Sequence, residues 1–203
     1  MTAIEQTLRS AGMNNIAGVD EAGRGPCAGP LVVAAVILKD PFSPKLSEVR
    51  DSKALTASKR EHLYDLIHTE SLALSIIEIS HEEIDQRGLH KSNLEGFRRA
   101  ISALDTQPDY VLTDGYAIEG LEMPALGIWK GDQVAISISA ASIIAKVYRD
   151  RVMIEMDALY PGYGFATHKG YSSAGHMAAM KERGITPIHR KSFANVAALL
   201  DTH

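Results

Sequence analysis

The chain opens with short apolar stretches and shifts later to helical spacing. Ile16 to Asp20 is apolar and ends on acids, and Leu31 to Leu38 is an unbroken, β-branched-rich run bounded by Pro30 and Pro41. Both predict strands. The glycine-rich turn between them, Ala22 to Gly29, suits a hairpin-like link better than a crossover. Thr56 is placed to cap a helix running to about Glu70, with Leu63, Leu66 and Ile67 as its apolar stripe. Leu72 to Ile79 predicts a third strand. Ser80 with Glu83 has capping-box spacing and opens a short helix. Leu94, Phe97, Ile101 and Leu104 mark one face of the next helix. Tyr110 to Thr113, ending at Asp114, and Leu126 to Trp129, ending near Asp132, predict the fourth and fifth strands.

A helix is expected from about Gln133 to Leu159. Its small residues Ser137, Ser139, Ala140, Ala141 and Ser142 would let it lie close against a sheet, and Pro161 stops it. Tyr160 to Tyr171 holds three glycines and reads as an ordered loop. Ser172 is placed to cap a helix ended by Gly184, and a last helix covers Ser192 to Leu200. Early strands joined by short turns and later ones by helices give an α/β class, a mixed sheet with helices on its faces.

Composition narrows the picture. A length of 203 residues with 45% apolar content suits one domain, residues 1–203. Glu5 and the lack of a long apolar run near the N-terminus argue against a secretory signal. Leu31 to Leu38 is far shorter than the ~18 residues a membrane span needs, and the single cysteine, Cys27, has no internal disulfide partner. The expectation is a cytoplasmic monomer with no membrane role and no evident protein partner. Net charge is −4, which argues weakly against nucleic acid. From Tyr160 to Lys191, however, Lys169, Lys181, Arg183, Arg190 and Lys191 face Glu182 alone. A basic C-terminal third could follow a phosphate backbone, or could be a solvated helix face.

Four acids stand at strand ends or just beyond them: Asp20, Glu21, Asp114 and Asp132. Strand termini converge in such sheets. Clustered carboxylates repel unless divalent cations relieve them, and an all-oxygen set suits Mg²⁺ or Mn²⁺ rather than zinc. Asp114-Gly115 taken alone reads first as a turn; the cluster gains its force from four acids together. Gly23-Arg24-Gly25 follows Asp20-Glu21 directly. Its glycines permit close backbone approach, and Arg24 can bond phosphate or a sugar hydroxyl.

With these residues in view, the chain resembles ribonuclease HII, the bacterial type 2 ribonuclease H. Gly18-Val19-Asp20-Glu21-Ala22-Gly23-Arg24-Gly25-Pro26 followed by Ala28-Gly29-Pro30 is similar to the family's opening motif. Asp51-Ser52-Lys53 with Leu55, Asp114-Gly115, Gly131-Asp132, Ser139 to Asp150, Tyr163-Gly164-Phe165, His168 to Tyr171 and His189 to Phe193 continue the series. One departure is Ser172-Ser173, where relatives more often carry Gly then Thr.

The resemblance implies a ribonuclease H-like fold, a mixed five-stranded sheet flanked by helices, with a C-terminal substrate-binding helical region over about 160–203. It implies an acid tetrad at Asp20, Glu21, Asp114 and Asp132 that holds two Mg²⁺ or Mn²⁺ ions. It also implies a 2′-hydroxyl-sensing turn at Gly23, Arg24 and Gly25 and a junction-sensing tyrosine at Tyr171. The expected substrates are RNA/DNA hybrid and duplex DNA containing ribonucleotides, cut to 3′-hydroxyl and 5′-phosphate ends. Lys53, Lys146, Lys169, Arg190 and Lys191 are candidate phosphate contacts, though each taken alone reads first as a surface cation. Lys146 could instead pair with a site acid. His168 suits a structural hydrogen bond better than proton transfer, and Cys27 a small buried role. A catalytically silent nucleic-acid-binding module on the same fold is the alternative.

Overall fold

Alternate residues of one strand feed two separate cores. In β2, Leu31–Leu38, all eight residues are buried. Val32, Ala34, Val36 and Leu38 face one cluster, and Leu31, Val33, Ala35 and Ile37 face the other, as the period of two requires. The structure, a computed structural model, describes residues 3–50 and 52–200.

The sheet has the order β3-β2-β1-β4-β5, with β1 at Ile16–Ala22, β3 at Ser71–Ile79, β4 at Tyr110–Asp114 and β5 at Ala125–Ile128. β1–β2 and β2–β3 pair antiparallel, while β1–β4 and β4–β5 pair parallel. It is the mixed five-stranded sheet expected. Helices α2 (Ala57–Glu70) and α5 (Ile136–Leu159) cover one face. Helix α4 (Leu89–Ser102) covers the other, entered through α3 (His81–Arg87). The small residues of α5 serve close packing: a Cβ on Gly18 of β1 would lie 2.0 Å from the Ser137 carbonyl carbon. Thr56 accepts from the Lys59 amide as the cap of α2. Ser80 caps α3, but its expected box partner Glu83 is drawn to Arg99 instead, at 2.7 Å.

Four local expectations need correction. Helix α1, Ala3–Ser10, was not foreseen, because its reason is distant. Its buried Glu5 accepts from the amide and hydroxyl of Ser137, at 3.1 and 2.9 Å, and so caps α5. Helix α5 begins at Ile136 rather than near Gln133, because Gly131–Gln133 forms a 3₁₀ turn after left-handed Lys130. The stretch 160–171 contains a helical turn, α6 (Phe165–His168), set between left-handed Gly164 and Lys169. Helix α7 (Ala174–Arg183) is capped by Ser173, not Ser172, since Ser173 accepts from the His176 amide at 3.2 Å. Helix α8 (Ala194–Leu200) completes the C-terminal helical region. No helix among the described residues is long and apolar enough to cross a membrane.

Candidate active site

Parallel pairing places the acids. Val19 of β1 lies opposite Thr113 of β4, so the next residues, Asp20 and Asp114, stand side by side just past the C-terminal end of that parallel pairing. Asp114 in turn registers with Ile128 at the end of β5, and the 3₁₀ turn beyond carries Asp132. The Asp114 carboxylate accepts from the Gly131 amide at 2.6 Å, tying that turn to β4. Asp20 and Glu21 are adjacent on a strand and therefore address opposite faces. Asp20 bonds Ser142 of α5, whereas Glu21 approaches Arg24 and Asn93 of α4.

Asp20, Glu21 and Asp114 line a cleft of about 430 Å³ together with Gly23, Arg24, Gly25, Lys53, Lys146 and Tyr171. Asp132 lines an adjoining cleft of about 320 Å³ that shares Glu21, Arg24, Lys53 and Asp114 with the first. The four acids are thus neighbours across two connected hollows. Burial, then the charges of Glu21 and Asp114, hold the Asp20 carboxyl well above the usual carboxylate range. Glu21 is pushed up to about 7, chiefly by burial, with Arg24 opposing. The Glu21 Oε2 atom is buried with no hydrogen-bond partner among the described residues.

These features fit a hard cation: oxygen donors, mutual repulsion and an orphaned carboxylate oxygen. Among the described residues, no three His, Cys, Asp or Glu side chains close on one point tightly enough to cage an ion.

The glycine turn is built from behind. Arg190, fully buried, donates to the carbonyls of Gly23 at 2.7 Å, Arg24 at 3.3 Å and Gly29 at 2.9 Å. Trans peptides set the N–H opposite the C=O, so the Arg24 and Gly25 amides point away from Arg190. Arg149, also buried, donates to the carbonyls of Pro30, Lys169 and Ala28. It fills the space beside Gly23, whose φ is +103°. The Arg24 guanidinium bonds the Tyr116 hydroxyl, lies over that ring at 4.8 Å and pairs with Glu21 at 3.5 Å. Tyr171 is half exposed, and a Cβ on Gly25 would sit 3.1 Å from its ring.

Other sequence-predicted residues divide. Lys53 lines both clefts. Lys146 lines the first and pairs with Asp150 at 2.7 Å, not with one of the four acids. Lys169 is left-handed, and its amine bonds the Ala166 carbonyl. Arg190 is a correction, because it is a buried brace for the turn and not a phosphate contact. Lys191 is exposed, and its amide is held by Asp85. His168 accepts from the Gly170 amide at 3.1 Å and bonds the Tyr163 carbonyl at 2.7 Å, the structural role expected. Cys27 is buried. Asp51 lies outside the described residues.

Sequence reasoning missed Tyr116, Asn93 and the polar role of Ser142. Tyr116 follows Asp114-Gly115 by one residue but gave no sign of reaching Arg24. Ser142 was visible only as a small packing residue.

The ribonuclease HII family model matches residues 17–196. A ribonuclease HII of Salinispora arenicola is 50% identical over 197 residues, covering 97% of this chain and 73% of its own. One from Cutibacterium acnes is 49% identical over 199 residues, covering 98% of both. The crystal structure of ribonuclease H2 from Pyrococcus horikoshii OT3 superposes with a TM-score of 0.81 at 28% identity, covering 93% of this chain and 98% of that one.

Proposed function

The chain belongs to the ribonuclease HII family of metal-dependent endoribonucleases, which hydrolyse RNA in RNA/DNA hybrids, and on that premise we propose that it also cuts on the 5′ side of ribonucleotides embedded in duplex DNA. The products would be 3′-hydroxyl and 5′-phosphate ends. One observation carries the reading: three of the acids share a cleft with the glycine turn and an exposed tyrosine.

Asp20, Glu21, Asp114 and Asp132 would hold two divalent ions, Mg²⁺ or Mn²⁺. Bound there, the ions supply an activated water and neutralise charge at phosphorus and at the departing 3′-oxygen. Asp20 and Asp114, fixed at the ends of paired strands, orient the site without side-chain search. The Arg24 and Gly25 amides, turned away from Arg190, present donors to a ribose 2′-hydroxyl, which can donate and accept. Tyr171 rests against Gly25 and offers its ring to the sugar 3′ of the ribonucleotide. A deoxyribose fits there, and a 2′-hydroxyl would crowd it. Lys53 and Lys146, which line the cleft, would take backbone phosphates. In this reading residues 1–203 form one catalytic domain, and the helical region from about residue 160 carries the substrate-binding tyrosine.

The test is cleavage of a duplex carrying one ribonucleotide, with metal varied and product ends mapped. Incision 5′ of the ribonucleotide with Mg²⁺ or Mn²⁺, and none of an all-DNA duplex, is the expected result. Binding without cleavage under any divalent ion would favour a silent module and defeat the reading.

A further inference from the structure

Trp129 is the chain's single tryptophan, and it is 82% exposed. An isolated exposed apolar side chain needs no explanation; the position of this one does. It lines the second cleft beside Tyr116, Lys130 and Asp132. Tyr171 lines only the first cleft and Trp129 only the second, while Glu21, Arg24, Lys53 and Asp114 belong to both. The shared acids therefore lie between two exposed aromatic rings. Lys130 follows with φ +53°, a conformation non-glycine residues seldom adopt, and its carbonyl accepts from the Gln133 amide at 3.0 Å.

The second cleft also collects cations. Arg24, Lys53 and Lys130 line it alongside the acids. A flat ring among cations, continuous with a site for phosphodiester hydrolysis, matches the chemistry of nucleic-acid strands: bases stack and phosphates pair. We infer that Trp129 is a nucleic-acid contact, its indole stacking on a base or sugar 5′ of the scissile phosphate with Lys130 on an adjoining phosphate. This rests on the cleavage reading above, in which Tyr171 takes the sugar on the 3′ side. The two aromatics then grip the strand on either side of the cut.

Because Trp129 is the sole indole, its emission reports the contact directly. Titrating the full chain, in EDTA, with a duplex carrying one ribonucleotide should quench and shift that emission. Trp129→Ala should raise KM about tenfold, in line with the loss of one stacked base, with most of the change absent from kcat. Trp129→Phe should recover most of it. In the same binding titration, a duplex whose cleavable strand begins at the ribonucleotide, and so has no bond to cut and no nucleotide on the 5′ side, should leave the indole emission unchanged. Emission that ignores the duplex, together with an unaltered KM in an enzyme that still cuts, overturns this inference and leaves the cleavage reading standing. Failure of the wild type to cut at all removes the cleavage reading and this inference with it. Leu126 and Val134 are also exposed nearby. Emission that follows protein concentration rather than duplex would mark the face as a contact between copies and overturn the nucleic-acid assignment.

Discussion

His176 and His189 meet Nε2 to Nε2 at 3.0 Å, both fully buried. The Thr186 amide donates to His189 Nδ1 at 2.9 Å, so His189 keeps its proton on Nε2 and donates to His176. His176 then donates from Nδ1 to the Tyr171 carbonyl at 2.9 Å. A neutral pair of imidazoles thus ends on the backbone of the tyrosine that lines the cleft.

That pair predicts an acid-side loss of stability. Burial, aided by His176, pushes His189 down to about 4. The unfolded chain protonates this histidine near 6.5, so between pH 6.5 and 4 the unfolded state binds more protons. The contribution is fully present above pH 6.5 and is lost as pH falls toward 4. Glu21, raised to about 7, works with the opposite sign in metal-free protein: its contribution is present below its ordinary value of 4.5 and is lost as pH rises through 7. A comparison with His189→Gln isolates the histidine. The stability gap between the two proteins, measured by urea unfolding, should shrink by about 2 kcal/mol from pH 7 to pH 4.5. A constant gap would mean that His189 is not held neutral.

Asp20→Asn should abolish cleavage and stabilise the metal-free protein. The native carboxyl is buried beside Glu21 and Asp114, so removing its charge relieves repulsion worth about 1 kcal/mol or more. Adding Mn²⁺ should raise the melting temperature of wild type and raise that of the variant much less. Near-normal turnover in Asp20→Asn would remove Asp20 from the catalytic set.

The two glycines of the turn should respond differently to alanine. At Gly23 a Cβ would meet Arg149 Nε at 2.1 Å and the Pro30 carbonyl at 2.7 Å, at a φ of +103°. Gly23→Ala should therefore cost several kcal/mol and lose soluble, folded protein. At Gly25 the nearest atom is the half-exposed Tyr171 ring at 3.1 Å, which can give way. Gly25→Ala should melt within a few degrees of wild type while losing preference for a single embedded ribonucleotide over a continuous hybrid. Competition between the two substrates measures it, and an unchanged preference counts against Tyr171 as the junction reader.

Arg190→Lys separates a brace from a phosphate contact. A lysine cannot reproduce the fork that serves the Gly23, Arg24 and Gly29 carbonyls. The variant should lose about 2–4 kcal/mol of stability, and the dependence of substrate binding on salt should stay as in wild type. A shallower salt slope with normal stability would return Arg190 to the phosphate-contact role.

Local pattern was enough for what depends on neighbours in the chain. The uninterrupted apolar run from Leu31 to Leu38 already required a strand buried on both faces, and the small residues from Ser137 to Ser142 required a helix pressed on a sheet. The block from Gly18 to Pro30, with the later motifs, carried the family and the positions of the acids. Tertiary structure decided what depends on distant partners. Parallel pairing of β1 with β4 brought Asp20 beside Asp114, a contact no spacing encodes. Glu5 made α1 part of the fold by capping a helix more than a hundred residues away. The cationic side chains of Lys169 and Arg190 look alike in a sequence, because charge is visible there and burial is not. Only folding sent Arg190 to three backbone carbonyls and turned Lys169 toward Ala166, leaving Lys53 and Lys146 in the cleft.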